Sequence, residues 1–198
     1  MSAFNRKQSR FSYRINMFFV TEGEASEKAY LSIVWNRLKL RERYNARFSH
    51  QKSSIPSLME TAQLIEKSAE FNPKRGDEIW IILDHDEQCH FPEQFEALGA
   101  WEKAKGHRHV AISTPRFEYW LLWHVEEKPT KKNALSDDYV QKLIPNFKAL
   151  PQGTPSITEE RIMMAMKRAN ASSRIPNCEN PGVLGSGLGR LIERLVQS

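Results

Sequence analysis

The chain has 198 residues, 40% hydrophobic and 27% charged, with five tryptophans; that suffices for one substantial core and excludes a disordered or fibrous chain. Lys and Arg number 29 against 24 Asp and Glu, a net charge of +5, which favours a polyanionic partner, although a mild excess of base also serves solubility. The only cysteines, Cys89 and Cys178, are too few for a disulfide framework and lack zinc-type spacing, so a reducing cytoplasm is the expected home.

The opening MSAFNRKQSRFSYR is basic but lacks the apolar centre of a signal sequence, and no stretch reaches membrane-span length. Residues 1–14 are therefore read as a basic N-terminal arm, either a frayed tail or a backbone contact to nucleic acid, on a protein expected to have no membrane association. Ile15–Val20 (INMFFV) is continuously apolar, as a strand buried on both faces should be, and Glu24–Leu40 follows with helical spacing at Ala25, Tyr30, Leu31, Val34 and Leu38. Tyr44–Ser49 is more polar and is expected nearer a sheet edge. Ile55–Phe71 places Leu58, Ala62, Ile65 and Ala69 on one helical face, and Asn72, Pro73 and Gly76 end it. Glu78–Leu83 (EIWIIL) is the most strand-like run in the chain.

Phe91–Lys105 reads as a helix, His109–Ser113 as a short strand, and Arg116–His124 as an aromatic run after Thr114-Pro115. The expectation is an α/β fold with a parallel sheet of about four strands flanked by helices. Residues 15–126 form its core. Residues 127–198 form a helical cap on the same domain, with helices over Asp137–Phe147, Thr158–Ala171 and Leu188–Val196. The run GVLGSGLG, from Gly182 to Gly189, lacks the preceding strand and the lysine of a phosphate loop and reads as a flexible lead-in to the last helix.

In a parallel sheet, ligands collect at the carboxyl ends of strands. Glu22 follows the first strand in T-E-G, where Gly23 permits a tight turn and close approach. Asp84 and Asp86 follow the third, two apart, so in extended chain they point the same way. Three carboxylates brought together raise at least one pKa unless a divalent cation neutralises them, and hard oxygen donors suit Mg2+ or Mn2+. Such an ion fits phosphodiester hydrolysis. The alternative is that these acids only cap helix N-termini.

At these residues a resemblance becomes specific. FFVTEGEASEKAYL, IWIILDHDE and STPRFEYWLLWH, in that order and spacing, resemble the signature blocks of the RloB-like family of Toprim proteins. The likeness is strong from Asn16 to His124 and looser beyond, where the run Ala165–Ala169 and NPGV at Asn180 resemble family features. It implies a Toprim-like fold with a C-terminal helical extension. It also implies that Glu22, Asp84 and Asp86 mark a catalytic Mg2+ or Mn2+ site of an endonuclease acting on DNA or RNA, and that the protein is an effector of bacterial antiphage defence working with an ATPase partner. Ser26 replaces the family threonine of T-E-G-x-x-T-E and keeps its hydroxyl. NPGV replaces the usual N-P-S-T. Glu27 is retained as a supporting residue, either near the metal or in a helix N-terminal hydrogen-bond pattern.

Glu118, a carboxylate among apolar rings, is the fourth catalytic candidate, with a buried salt bridge to Arg116 as the alternative. Arg116 and His124 are phosphate-ligand candidates and His85 a proton carrier, against structural roles for all three. Trp120 and Trp123 read as core. Lys128, Lys131 and Lys132 on the loop after Glu126, with Lys167, Arg168 and Arg174 on the later helix, are the nucleic-acid-binding candidates, against a solvated surface. The competing function is a non-catalytic Toprim-like binding or regulatory subunit of an ATPase complex. Strand passage is disfavoured, since 198 residues leave no room for a gate domain. Nothing in the sequence sets the oligomeric state.

Overall fold

The computed structural model describes residues 13–23, 25–50, 54–85, 91–172 and 175–197. Four parallel strands, β1 (Ile15–Thr21), β2 (Tyr44–His50), β3 (Glu78–Asp84) and β4 (Arg108–Thr114), and a short antiparallel β5 (Gly185–Ser186) form one sheet in the order β2-β1-β3-β4-β5. This α/β, mostly parallel arrangement is the expected one and is consistent with a Toprim-like sheet.

The chain leaves β1 for β2 on one side, then returns across β1 to β3 and β4. Right-handed crossovers with that reversal put the connecting helices on opposite faces. Accordingly, Met17, Phe19, Trp80, Ile82 and Ala111 bury against α1 (Ser26–Arg37), while their alternates Phe18, Val20, Ile79, Ile81, Leu83, Val110 and Ile112 bury against α2 (Ile55–Lys67) and α3 (Pro92–Lys103). The period of two in the side chains thus serves two cores. Each fully buried aliphatic or aromatic side chain contributes about 1.5–3 kcal/mol.

The α1 face continues into the second half of the chain. There α4 (Phe117–Leu122), α5 (Lys131–Ala134), α6 (Asp137–Leu143), α7 (Glu159–Ala171) and α8 (Leu188–Gln197) add Trp120, Val140, Ile162, Leu191 and Leu195 to the same cluster as Tyr30 and Phe19. Hydroxyl caps start several helices: Ser136 accepts from the Tyr139 N–H at 3.3 Å and Thr158 from the Arg161 N–H at 3.3 Å. Two expectations need correction here. The helix expected to reach Phe147 stops at Leu143, because Pro145 disfavours helical geometry in the residue before it. Lys131 and Lys132 lie in α5, not on a loop; Thr130 caps that helix, accepting from the Asn133 N–H at 3.2 Å.

The glycine run is also more than a lead-in. Ser113 and Thr114 pair with Ser186 and Gly185, and a Cβ at Gly187 would stand 3.0 Å from the Ala111 Cα. Glycine permits that backbone-on-backbone approach, which lets a fifth strand join. Among the described residues no helix is long and apolar enough to cross a membrane.

Candidate active site at the strand carboxyl ends

Because α1 leaves β1 toward one face and α3 leaves β3 toward the other, a crevice opens between the carboxyl ends of these adjacent strands. Glu22 lies on its rim. The Glu22 N–H donates to the Ile82 carbonyl at 3.2 Å, which prolongs the β1–β3 ladder by one bond, and Thr21 Oγ1 donates to the Gly23 carbonyl at 2.9 Å, which folds the turn. A Cβ at Gly23 would meet the Glu27 carboxylate at 2.0–2.3 Å. Glycine at this position is what lets Glu27 fold back from the first turn of α1 over the chain at Gly23.

No side chain caps the N-terminus of α1 at Ala25, so a reciprocal capping pair is absent there, but the Glu27 carboxylate accepts from its own N–H in the first turn of that helix. It is buried, and Ser26 Oγ donates to its Oε2 at 3.2 Å. Burial raises its pKa above the ordinary carboxylate range, and the charges of Glu118 and Glu22 push the same way. Asp84 ends β3 opposite Ser113 and accepts a hydrogen bond from the Phe117 backbone N–H at the start of α4. Burial, then Glu27, Glu118 and Glu22, hold it well above its usual range despite that bond.

Glu118 comes from the first turn of α4, its side chain 14% exposed and its Oε2 3.2 Å from Arg116 Nε. Burial raises its pKa and Arg116 opposes the rise. Arg116 is already committed, its Nε donating to the Ala134 carbonyl at 2.7 Å and its Nη2 to Asp137 Oδ1 at 2.6 Å. Lys148 closes on the other oxygen of Asp137 at 2.6 Å. Arg116 therefore anchors Glu118 to the α5–α6 region.

Glu22, Glu27, Asp84 and Glu118 thus come from three separate segments and sense one another's charge across the crevice. Among the described residues, no three His, Cys, Asp or Glu side chains are grouped as a bound ion would require. Asp86, the remaining expected ligand, lies outside the described residues. The donor chemistry nevertheless fits a hard divalent cation: these are carboxylate oxygens, and at Glu27 and Asp84 burial and mutual repulsion outweigh the hydrogen bonds they accept.

A family model described as RloB-like protein matches residues 17–195. The chain belongs to the RloB-like family. No curated protein and no solved structure matches it. The RloB-like match spans Glu22, Glu27, Asp84 and Glu118 and continues through the helical second half, beyond the segment where the sequence likeness is strongest.

Other expected residues scatter. His124 is buried in the core rather than placed to bind phosphate: its Nε2 lies 3.2 Å from the Tyr30 hydroxyl, its Nδ1 faces the Leu121 carbonyl at 3.1 Å, and burial lowers its pKa to about 4. Trp120 and Trp123 are buried, as read. Arg168 donates to the Trp123 and Glu126 carbonyls at 3.0 and 3.1 Å and so ties α7 to the end of α4. Lys128, Lys131, Lys132 and Lys167 are exposed, and Arg174 lies outside the described residues.

His85 stands at the mouth, its N–H donating to the Ser113 carbonyl at 2.8 Å and its ring 5.5 Å from Phe95. Sequence reasoning missed that the N-P-G-V segment returns here. Thr114 Oγ1 donates to the Pro181 carbonyl at 2.6 Å, and a Cβ at Gly182 would lie 3.4 Å from His85 Cε1. The clustered glycines were the available signal.

Proposed function

We propose that this RloB-like protein is a metal-dependent nuclease that hydrolyses phosphodiester bonds in DNA or RNA at the crevice between β1 and β3. The observation that carries the reading is the convergence, at a topological switch point, of Glu22, Glu27, Asp84 and Glu118, with burial and mutual repulsion raising Glu27 and Asp84. Glu22, Asp84 and Asp86 would hold Mg2+ or Mn2+, with Glu27 and Glu118 completing the acidic surround. When bound, the ion supplies charge stabilisation at the phosphate and acidifies a water.

The chain's own residues do the rest. The Phe117 N–H orients Asp84, the turn at Gly23 seats Glu27, and Arg116 fixes Glu118, so the carboxylates are held before substrate arrives. Burial raises the pKa of Glu27 and of Glu118, the direction that favours a carboxyl group carrying a proton to or from substrate. Action with an ATPase partner in bacterial antiphage defence, in the cytoplasm, rests on the family resemblance alone.

Incubation of the protein with plasmid and with total RNA, in Mg2+, in Mn2+ and in EDTA, alone and with the ATPase encoded beside it, tests the proposal. Cleavage that requires metal and vanishes in Glu22→Gln and Asp84→Asn is expected. One observation favours a second reading, a non-catalytic subunit: no three donors among the described residues are grouped for an ion. Absence of both cleavage and calorimetric Mg2+ or Mn2+ binding, partner present, would establish it.

A further inference from the structure

We propose that the open edge of β2 is a nucleic-acid strand channel, with Arg14, Arg41 and Arg47 holding successive phosphates. β2 ends the sheet and pairs only with β1. On its α1 side lies a groove of about 430 Å³ lined by Arg14, Ser32, Trp35, Arg41, Asn45 and Arg47, among others. On its α2 side a second groove of about 890 Å³ shares Arg47 and adds Lys28, Ser49, Thr61 and, at its border, the acidic Glu70, among others. The grooves meet along one edge.

Among the described residues, exposed arginines without a carboxylate or carbonyl partner also occur at Arg37, Arg161 and Arg190; what marks this surface is that three such arginines border one pair of adjoining grooves. Arg108 is bound by Glu66, Arg116 by Asp137, Arg168 by two carbonyls and Arg194 by Glu78. Arg14, Arg41 and Arg47 are all exposed, and among the described residues no carboxylate or carbonyl accepts from their side chains. Three guanidiniums left without an internal partner along one concave edge keep their bidentate donors for an external anion, and guanidinium geometry matches phosphate. The shape selects the form of that anion. Arg14 precedes the Ile15–Tyr44 pair, Arg41 comes before β2 and Arg47 lies within it, so the charges follow the strand direction, as a polymer backbone requires.

Direction follows from the register. Thr21 pairs with His50, so the carboxyl end of β2 lies beside the end of β1, one residue before Glu22. A strand running from Arg14 and Arg41 past Arg47 arrives at the acidic crevice. This last step rests on the nuclease reading; the channel itself does not. Arg14 closes the basic N-terminal arm, while Arg41 and Arg47 are not among the candidates that the sequence pattern singled out.

The test is fluorescence anisotropy of the full chain with a labelled 20-nucleotide single strand, of DNA and of RNA, and with the matching DNA duplex, all in EDTA so that binding is read without cleavage. Arg14→Gln/Arg41→Gln/Arg47→Gln should weaken single-strand binding at least tenfold and lower the salt slope by about 2, from three lost phosphate contacts on a single strand. The control Lys67→Gln/Lys74→Gln/Lys142→Gln removes the same charge from exposed sites elsewhere and should weaken binding less than threefold. The triple Arg→Lys variant should recover most of the affinity, separating charge from misfolding. Equal loss in both Gln triples, unchanged binding in the arginine triple, tighter binding of the duplex, or no binding by the wild type each overturns the channel. If the channel holds in EDTA while no metal supports cleavage, only the nuclease reading fails.

Discussion

Replacing a carboxylate by its amide should act in opposite ways at the two ends of this sheet. At the amino end, Glu66 of α2 is clamped by Arg108, with both contacts at 2.6 Å, and His107 lies 2.8 Å from its Oε1. Arg108 and the other cations lower its pKa from 4.5 to about 2, a gap equivalent to about 3 kcal/mol. Partial solvent screening and the exposure of Lys105 reduce the recoverable part to about 1–2 kcal/mol. The folded value is depressed, so this stability is whole above about pH 4.5 and disappears as pH falls through about 2. Glu66→Gln should therefore lower Tm by about 2–8 °C at pH 7, and the gap from wild type should narrow in melts at pH 5, 4 and 3. At the carboxyl end, Asp84→Asn keeps an acceptor for the Phe117 N–H and removes a charge from a self-repelling cluster. Its Tm should stay level or rise by a few degrees, the ordinary result of relieving a strained functional site. Differential scanning calorimetry of both variants reads the contrast. A Glu66→Gln deficit that is constant from pH 7 to 3, or an Asp84→Asn variant that is destabilised as much as Glu66→Gln, refutes the reasoning.

Gly23→Ala should swing the Glu27 carboxylate out of the crevice and reproduce the activity loss of Glu27→Gln, with less than about 1 kcal/mol lost in urea melts because the clash falls on a side-chain end. Millimolar Mg2+ should raise the Tm of the wild type and leave that of Asp84→Asn unmoved, by linkage to a site the variant lacks; equal shifts in both would move the ion elsewhere. The His124 ring should be neutral at pH 7 and titrate near 4 by NMR. Its folded value is lowered, so stability falls as pH drops from about 6.5 toward 4.

Much of this was legible in the residues. INMFFV and EIWIIL read as buried strands because both of their faces are apolar, and the polar YNARFS as an edge strand because only alternate side chains meet a core. Glu22 and Asp84 were legible as a pair once strand ends were placed. Other features needed the third dimension. Arg116 and Arg168 look like free cations in sequence, and only packing reveals the carbonyls and the carboxylate that engage them. β5 has two residues, too few for any periodicity, and its existence depends on a backbone approach made 73 residues away, at Ser113. Arg41 and Arg47 give no signal of their own along the chain, because whether a guanidinium has an internal partner is visible only in three dimensions.

The distribution of charge gives the fold its polarity. At the amino ends of the strands each buried acid has a partner on the spot: Asp77 accepts from the Asn16 and Asn72 N–H groups at 2.9 Å, Glu66 holds Arg108, and Glu78 takes Arg194 and the Trp80 N–H. A buried carboxylate without such partners costs several kcal/mol. At the carboxyl ends Asp84 and Glu27 also accept hydrogen bonds, yet burial and the neighbouring acids still raise both, and Arg116 is the cation that pairs with Glu118. Acids are thus matched by cations or amides at one end of the sheet and crowded at the other, and the proposed cation site rests on that asymmetry. The Phe117 N–H at the start of α4 settles part of the Asp84 carboxylate, as a helix N-terminus does, but that donor does nothing for the charges of Glu27, Glu118 and Glu22 that stand near it, and those are what the capping alternative leaves unexplained.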